Sequence, residues 1–282
     1  MLKRYFSLVR FAHTLFALPF ALIGFTLAYT QTGLTFEWRT LLFVLFCMVF
    51  ARNAAMSFNR YADAEIDVRN ARTAQSEVPA GIIRPAKVLV FCTVNAVLFV
   101  IVSFFLNPLC FYLSFVALFI VLGYSYTKRF TWLSHLVLGL SLAIAPLGAY
   151  IAVTGAFAVA PMLLSALVLC WAGGFDVLYA LSDEEFDRTE KLHSIPEKFG
   201  RVNAMRISWL LHILAVCMVV FTGYYLCLNL WYWIGALFFI ALLIYQHLII
   251  KPADLRRLNA AFFSANGIAS LVYCFFTIIS LL

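Results

Sequence analysis

Nine apolar stretches dominate the 282-residue sequence, at 11–31, 40–62, 88–106, 108–126, 135–155, 160–182, 205–225, 229–249 and 259–280. Each holds roughly twenty residues, enough to cross about 30 Å of hydrocarbon as a helix. No water is available at that depth to satisfy an open peptide group, so the chain is confined to helices whose backbone hydrogen bonds close internally. The expected fold is all-α and polytopic, with about nine transmembrane helices and residues 1–282 forming one membrane domain. Only 12% of the residues are charged and the mean hydropathy is +0.97, which excludes a soluble domain.

Charge placement sets the expected topology. With the N-terminus inside, Arg39 is the one of 20 Lys and Arg that falls on the outer side. The net charge of +7 therefore reads as a topology signal, not as nucleic-acid binding. Of 13 acids only Glu37 lies outside. The positive-inside rule does not act on acids, so a polar site on the cytoplasmic face is the expected cause. The first apolar stretch lacks a small-residue cleavage site and is read as a span, not a signal peptide. The expected location is the inner (cytoplasmic) membrane. Seven cysteines, an odd number with no CxxC pair, are expected as small packing residues.

The connections after spans 2, 4, 6 and 8 are long and polar, whereas most others are short and uncharged. Two of the polar connections begin with acid clusters. Asn59, Asp63 and Asp67 fall within about 80° of one another at ~100° per residue on a helix. Asp176, Tyr179, Asp183 and Asp187 follow at offsets of 3, 7 and 11, again near one face. Spans 2 and 6 run in the same direction, so the spacing suggests two parallel four-helix halves plus a ninth helix, with the site between the halves. Two charges lie deeper, Arg52 and Asp176. Either they pair with each other, or they line a cavity for a polar, carboxylated molecule.

Paired acids on two helices suit Mg²⁺, which takes oxygen ligands and commonly bridges carboxylates to phosphates. Cations for a diphosphate are at hand in Arg60, Arg69, Arg72, Lys128, Arg129, Arg188 and Lys191, and Tyr124 lies one turn before Lys128. Tyr179 is the aromatic face best placed to meet a carbocation. The histidines His13, His135, His193, His212 and His247 are scattered and are expected to be structural or interfacial.

Asn59-Arg60-x-x-Asp63-x-x-x-Asp67 and Asp176-x-x-Tyr179-x-x-x-Asp183-x-x-x-Asp187 resemble the two motifs of the UbiA-type intramembrane aromatic prenyltransferases. Arg72-Thr73, Pro79-Ala80-Gly81 and Tyr124-x-x-x-Lys128-Arg129 are similar to that family's loops. The resemblance implies Mg²⁺-dependent transfer of a polyprenyl chain from its diphosphate to an aromatic acid in respiratory quinone synthesis, with no nucleic acid and no obligate protein partner. It implies that Asn59, Asp63 and Asp67 serve one metal–diphosphate half-site, and Asp183 and Asp187 the other. Arg72, Tyr124 and Lys128 would contact the diphosphate, Asp176 and Tyr179 would stand near the reacting carbon, and Arg52 would meet the acceptor's carboxylate. Ser76 stands where the family often has a second base. The segments Asp183–Arg188, His193–Pro196 and Phe11–Phe20 resemble a subgroup labelled 4-hydroxybenzoate polyprenyltransferase, some members of which use 1,4-dihydroxy-6-naphthoate for menaquinone.

Two other classes use membrane acids. CDP-alcohol phosphotransferases carry Asp-Gly and Ala-Arg elements that are absent around Asp63 and Asp183. A cation transporter would place acids near midplane and charges along a path to the far side, whereas here the outer half is nearly uncharged.

Overall fold

The structure is a computed structural model that describes residues 8, 16–251, 254–255, 258 and 264–282. Among the described residues there are eleven α-helices: α1 (Leu18–Thr32), α2 (Trp38–Ala62), α3 (Ala64–Arg69), α4 (Pro85–Leu106), α5 (Pro108–Thr127), α6 (Ser134–Thr154), α7 (Val159–Ala180), α8 (Glu184–Thr189), α9 (Ile195–Tyr225), α10 (Leu230–Ile249) and α11 (Asn266–Leu281). Seven of them, α2, α4, α5, α6, α7, α9 and α10, are long and apolar enough to cross a membrane. α1 and α11, with 15 and 16 residues, fall at the expected first and ninth spans but are shorter as described. His13 and the start of the first expected span lie outside the described residues.

Helix limits follow local chemistry. Proline opens α4 and α5, where its missing N–H costs nothing. Asn107 caps α5 by accepting from the Cys110 N–H, and its amide donates to Ile151 and Ala152 carbonyls, tying this turn to the end of α6. Gly33 and Gly155 close α1 and α6 with the same left-handed geometry, φ 66° in each. Inside α9, Gly200 (φ 75°) separates a first turn from the long helix that follows, which accounts for an element starting ten residues before the expected span.

Packing repeats across the chain. α2 lies against α4 in the first half and α7 against α9 in the second, while α1 packs mainly on α6 and also touches α11. The halves differ in filling. Trp171, Phe20, Phe239, Tyr232 and Tyr273 form a dense core among α1, α7, α10 and α11. Its polar atoms are matched internally: Trp171 Nε1 and Gln246 Nε2 both donate to Asn266 Oδ1, and Tyr232 bonds Tyr273 at 2.8 Å. α2, α4, α5 and α6 instead enclose an apolar cavity of about 340 Å³. The cavity thus lies mainly in the first half, closed by α6, and not midway between the halves.

The seam between halves is tight. A Cβ added to Gly24 on α1 would lie 2.1 Å from the backbone oxygen of Pro146 on α6. Gly24→Ala is expected to push these helices apart and destabilise the fold by roughly 1–3 kcal/mol, the usual range for overpacking. A melting curve of the detergent-solubilised variant, set beside that of the unaltered protein, checks this.

Candidate active site

Each acid cluster sits at a helix break. α2 ends at Ala62, Asp63 takes φ −95° and ψ 5°, and the six-residue α3 follows. α7 ends at Ala180, Asp183 takes φ −105° and ψ 2°, and the six-residue α8 follows. The single helical face expected through each motif is therefore corrected: Asn59 and Asp176 lie on long helices, Asp67 and Asp187 on short ones turned away. One α-type bond still spans each short helix, from Asp67 N–H to Asp63 O and from Asp187 N–H to Asp183 O, both 2.8 Å.

The breaks bring both halves into one polar cluster. Asp63 Oδ2 accepts from Lys128 Nζ at 2.7 Å and from Asn59 Nδ2 at 3.0 Å, with Arg129 at 3.9 Å from Oδ1. Asp67 pairs with Arg60 at 3.3 Å and accepts the Thr73 hydroxyl at 3.0 Å. Asp183 takes both arms of the Arg72 guanidinium, at 2.6 and 3.1 Å, and the Asn70 amide at 3.3 Å. Arg72 and Asn70 come from the first half and Asp183 from the second, so these bonds cross the seam. The 70–84 loop holds Arg72 there. Asn70 Oδ1 accepts the Arg72 N–H, and Val78 and Ile83 anchor the loop on Val88. Ser76, in the place of a second base, has a buried hydroxyl with no hydrogen-bond partner among the described residues.

Two acids are perturbed. Burial raises the Asp63 carboxyl above its usual range, opposed by Lys128. Burial also pushes Asp187 up to about 6, against the hydrogen bond from Ser194. Among the described residues no three His, Cys or acidic side chains converge into a cage for a metal. The donor set nonetheless fits Mg²⁺ held jointly with phosphate: it is built of hard oxygens, and Asp63 Oδ1 is buried without accepting a hydrogen bond.

Other expected residues are placed as follows. Arg52 and Tyr124 line the apolar cavity, Tyr124 one turn before Lys128. The Arg52–Asp176 pair is not formed; Asp176 bonds His135 Nδ1 at 2.7 Å, and the buried Arg52 Nε has no hydrogen-bond partner. Tyr179 carries the Arg72 guanidinium over its ring at 5.4 Å. The histidines are not all scattered in space: His212 and His247 meet at 2.8 Å on α9 and α10, with Trp209 stacked on His247. Sequence reasoning missed Asn70, His135 and Ser194. Their partners lie 113, 41 and 7 residues away; only Ser194 had a local signal, as the N-cap of α9.

Comparisons with known proteins identify the family and the fold. Residues 17–268 match the UbiA prenyltransferase family. A 4-hydroxybenzoate octaprenyltransferase of Aeromonas salmonicida (strain A449) is 30% identical over 241 residues, 86% of this chain and 83% of that protein. One from Francisella tularensis subsp. novicida (strain U112) is 26% identical over 278 residues, covering 96% and 95%. The apo structure of a UbiA homolog from Aeropyrum pernix K1 superposes with a TM-score of 0.86 at 27% identity, covering 96% of this chain and 98% of that one. A UbiA homolog from Archaeoglobus fulgidus bound to GPP and Mg²⁺ shares the fold, with a TM-score of 0.77 at 19% identity and 99% coverage of both chains. With its two broken helices, its paired acid clusters and a match over nearly its whole length, this multi-pass membrane chain belongs to the UbiA prenyltransferase family.

Proposed function

We propose that the chain transfers a polyprenyl group from its diphosphate to 4-hydroxybenzoate for respiratory quinone synthesis, with Mg²⁺, at the cytoplasmic face of the inner membrane. The observation that carries the reading is the pairing of each main acid with its own base, in a cluster whose Lys128 lies one turn beyond Tyr124 of the cavity wall: Asp63 with Lys128, Asp67 with Arg60, Asp183 with Arg72. The names of the relatives support the acceptor, and the ligands of the Archaeoglobus fulgidus homolog support the metal and the prenyl diphosphate.

A metal–diphosphate complex offers both signs of charge to such a site. Asn59, Asp63, Asp67, Asp183 and Asp187 would hold the metal side, while Arg72 and Lys128, with the Tyr124 hydroxyl, would turn to phosphate oxygens. Bound Mg²⁺ supplies Lewis-acid neutralisation of the leaving diphosphate. The bases are fixed where negative charge grows as the allylic C–O bond ionises. Asp176 and Tyr179 stand beside the reacting end, the ring face of Tyr179 becoming available when Arg72 engages phosphate. The cavity takes the prenyl tail and keeps water from the cation. Arg52, a guanidinium with an unpaired Nε in an otherwise apolar wall, meets the acceptor's carboxylate.

The decisive assay offers 4-hydroxybenzoate and 1,4-dihydroxy-6-naphthoate together to membranes containing the protein, Mg²⁺ and a polyprenyl diphosphate. Prenylated benzoate is expected; prenylated naphthoate alone would reassign the acceptor with the chemistry kept, and no product from either would overturn the reading. In the same assay Asp63→Asn and Asp183→Asn are expected to lose on the order of 10²-fold or more in turnover while staying folded. Arg52→Ala is expected to raise the acceptor KM roughly 10- to 100-fold, the worth of a charged hydrogen bond.

Asp187 gives a pH test. Its folded-state carboxyl titrates near 6 against 3.8 for an unperturbed group, so the native chain holds this proton more tightly than the unfolded one. The resulting stability is complete below the unfolded value and is lost as pH rises through the folded value. Asp187→Asn is therefore expected to melt above the unaltered protein at pH of about 7.5, with the gap closing as pH falls toward about 4. Equal melting shifts at all pH values would contradict it.

A further inference from the structure

Among the described residues His135 makes the shortest hydrogen bond of any histidine ring, and none of the chemistry above uses it. It is the second residue of α6 and is buried, 5% exposed. Nδ1 lies 2.7 Å from Oδ2 of Asp176 on α7, and Nε2 accepts the Ile195 N–H, the first of α9, at 3.3 Å. A ring nitrogen that accepts carries no hydrogen, so the ring proton sits on Nδ1 and is donated to Asp176. Ser194, just before Ile195, caps α9 through its hydroxyl and also bonds Asp187. The first residues of α9 thus stand between Asp187, beside Ser194, and His135, which bonds Ile195 on one side and Asp176 on the other.

The bond differs in kind from those of the other acids. Asp63, Asp67 and Asp183 are each met by a permanent cation. Asp176 is met by a ring that, with Nε2 accepting, brings a dipole and no charge. Oδ2 of Asp176 is fixed by His135, and Oδ1 accepts no hydrogen bond among the described residues. The side chain remains 23% exposed, so this anion is both oriented and reachable.

We propose that His135 is a positioning residue for prenyl transfer: it holds the Asp176 carboxylate, which no permanent cation meets, in a single orientation beside the reacting end, and it links that orientation to the start of α9, next to Asp187 on α8. The inference rests on the function proposed above. A fixed negative charge next to a carbon gaining positive charge acts only in the transition state, so its loss lowers kcat and leaves substrate KM values nearly unchanged.

The test is steady-state kinetics on the purified full chain with Mg²⁺, a polyprenyl diphosphate and the acceptor identified above. His135→Leu is expected to lower kcat roughly 10- to 100-fold, the range for groups that orient a ligating side chain, with both KM values within about twofold. His135→Gln, whose amide can donate to Asp176 and accept from Ile195, is expected to recover most of the rate. His135→Asn, polar but too short to span both partners, is expected to fold and to be as slow as the leucine variant. In Asp176→Asn, adding His135→Leu is expected to cost little more, because the two act as a unit. A normal kcat in His135→Leu or His135→Asn, a glutamine variant no better than leucine, or multiplying losses in the double variant would each overturn the proposal. An unaltered protein that prenylates no aromatic acceptor would defeat the functional reading and this inference with it; a working enzyme indifferent to position 135 would defeat this inference alone.

Discussion

A backbone surrounded by hydrocarbon has to close its own hydrogen bonds, and everything else in this molecule follows from where that rule is relaxed. The long helices obey it. Irregular chain is confined to their ends, and the two breaks that matter come at Asp63 and Asp183, in nearly the same conformation. Each break ends a long helix, starts a six-residue one and presents a carboxylate to bases from elsewhere in the chain, Asp63 to Lys128 and Asp183, across the seam, to Arg72. The polar cluster is built at helix ends, where charges can be hydrated or paired at lower cost than along the apolar spans.

Division of labour between the halves follows from packing. The second half is filled by large aromatic side chains around Trp171, whose indole N–H, like the tyrosine hydroxyls nearby, finds a partner inside the core. The first half leaves space instead, and Arg52 and Tyr124 border it. Arg72 and Asn70 then reach across from the first half to Asp183 in the second. One half supplies most of the room, and both supply the charge.

Much of this was legible in the sequence, because hydropathy and charge are local properties. The long helices from α2 to α10 fall close to the apolar stretches, apart from the early start of α9, and the acids cluster in the long polar connections as their spacing suggested. What could not be read depends on tertiary geometry. A helical wheel holds only while the helix lasts, so it failed at Asp63 and Asp183, where the backbone leaves the helix. Arg52 and Asp176, both deep charges of opposite sign, could by sequence have paired or lined a cavity. The nearer partner of Asp176 proved to be His135, a residue whose role nothing in its own neighbourhood announces. His212 and His247, 35 positions apart, meet only because α9 and α10 lie side by side.

The matched acids and bases also bear on what the resting protein can capture from its surroundings. A bare divalent ion entering this cluster would pull carboxylates from Lys128, Arg60 and Arg72 and leave three cations stranded in a partly dehydrated place, which is expensive. A bare anion would strand the carboxylates in the same way. A species carrying both signs, such as a metal–diphosphate complex, leaves fewer charges behind than either ion alone. The resting cluster is thus already balanced in charge, before any substrate has touched the cavity.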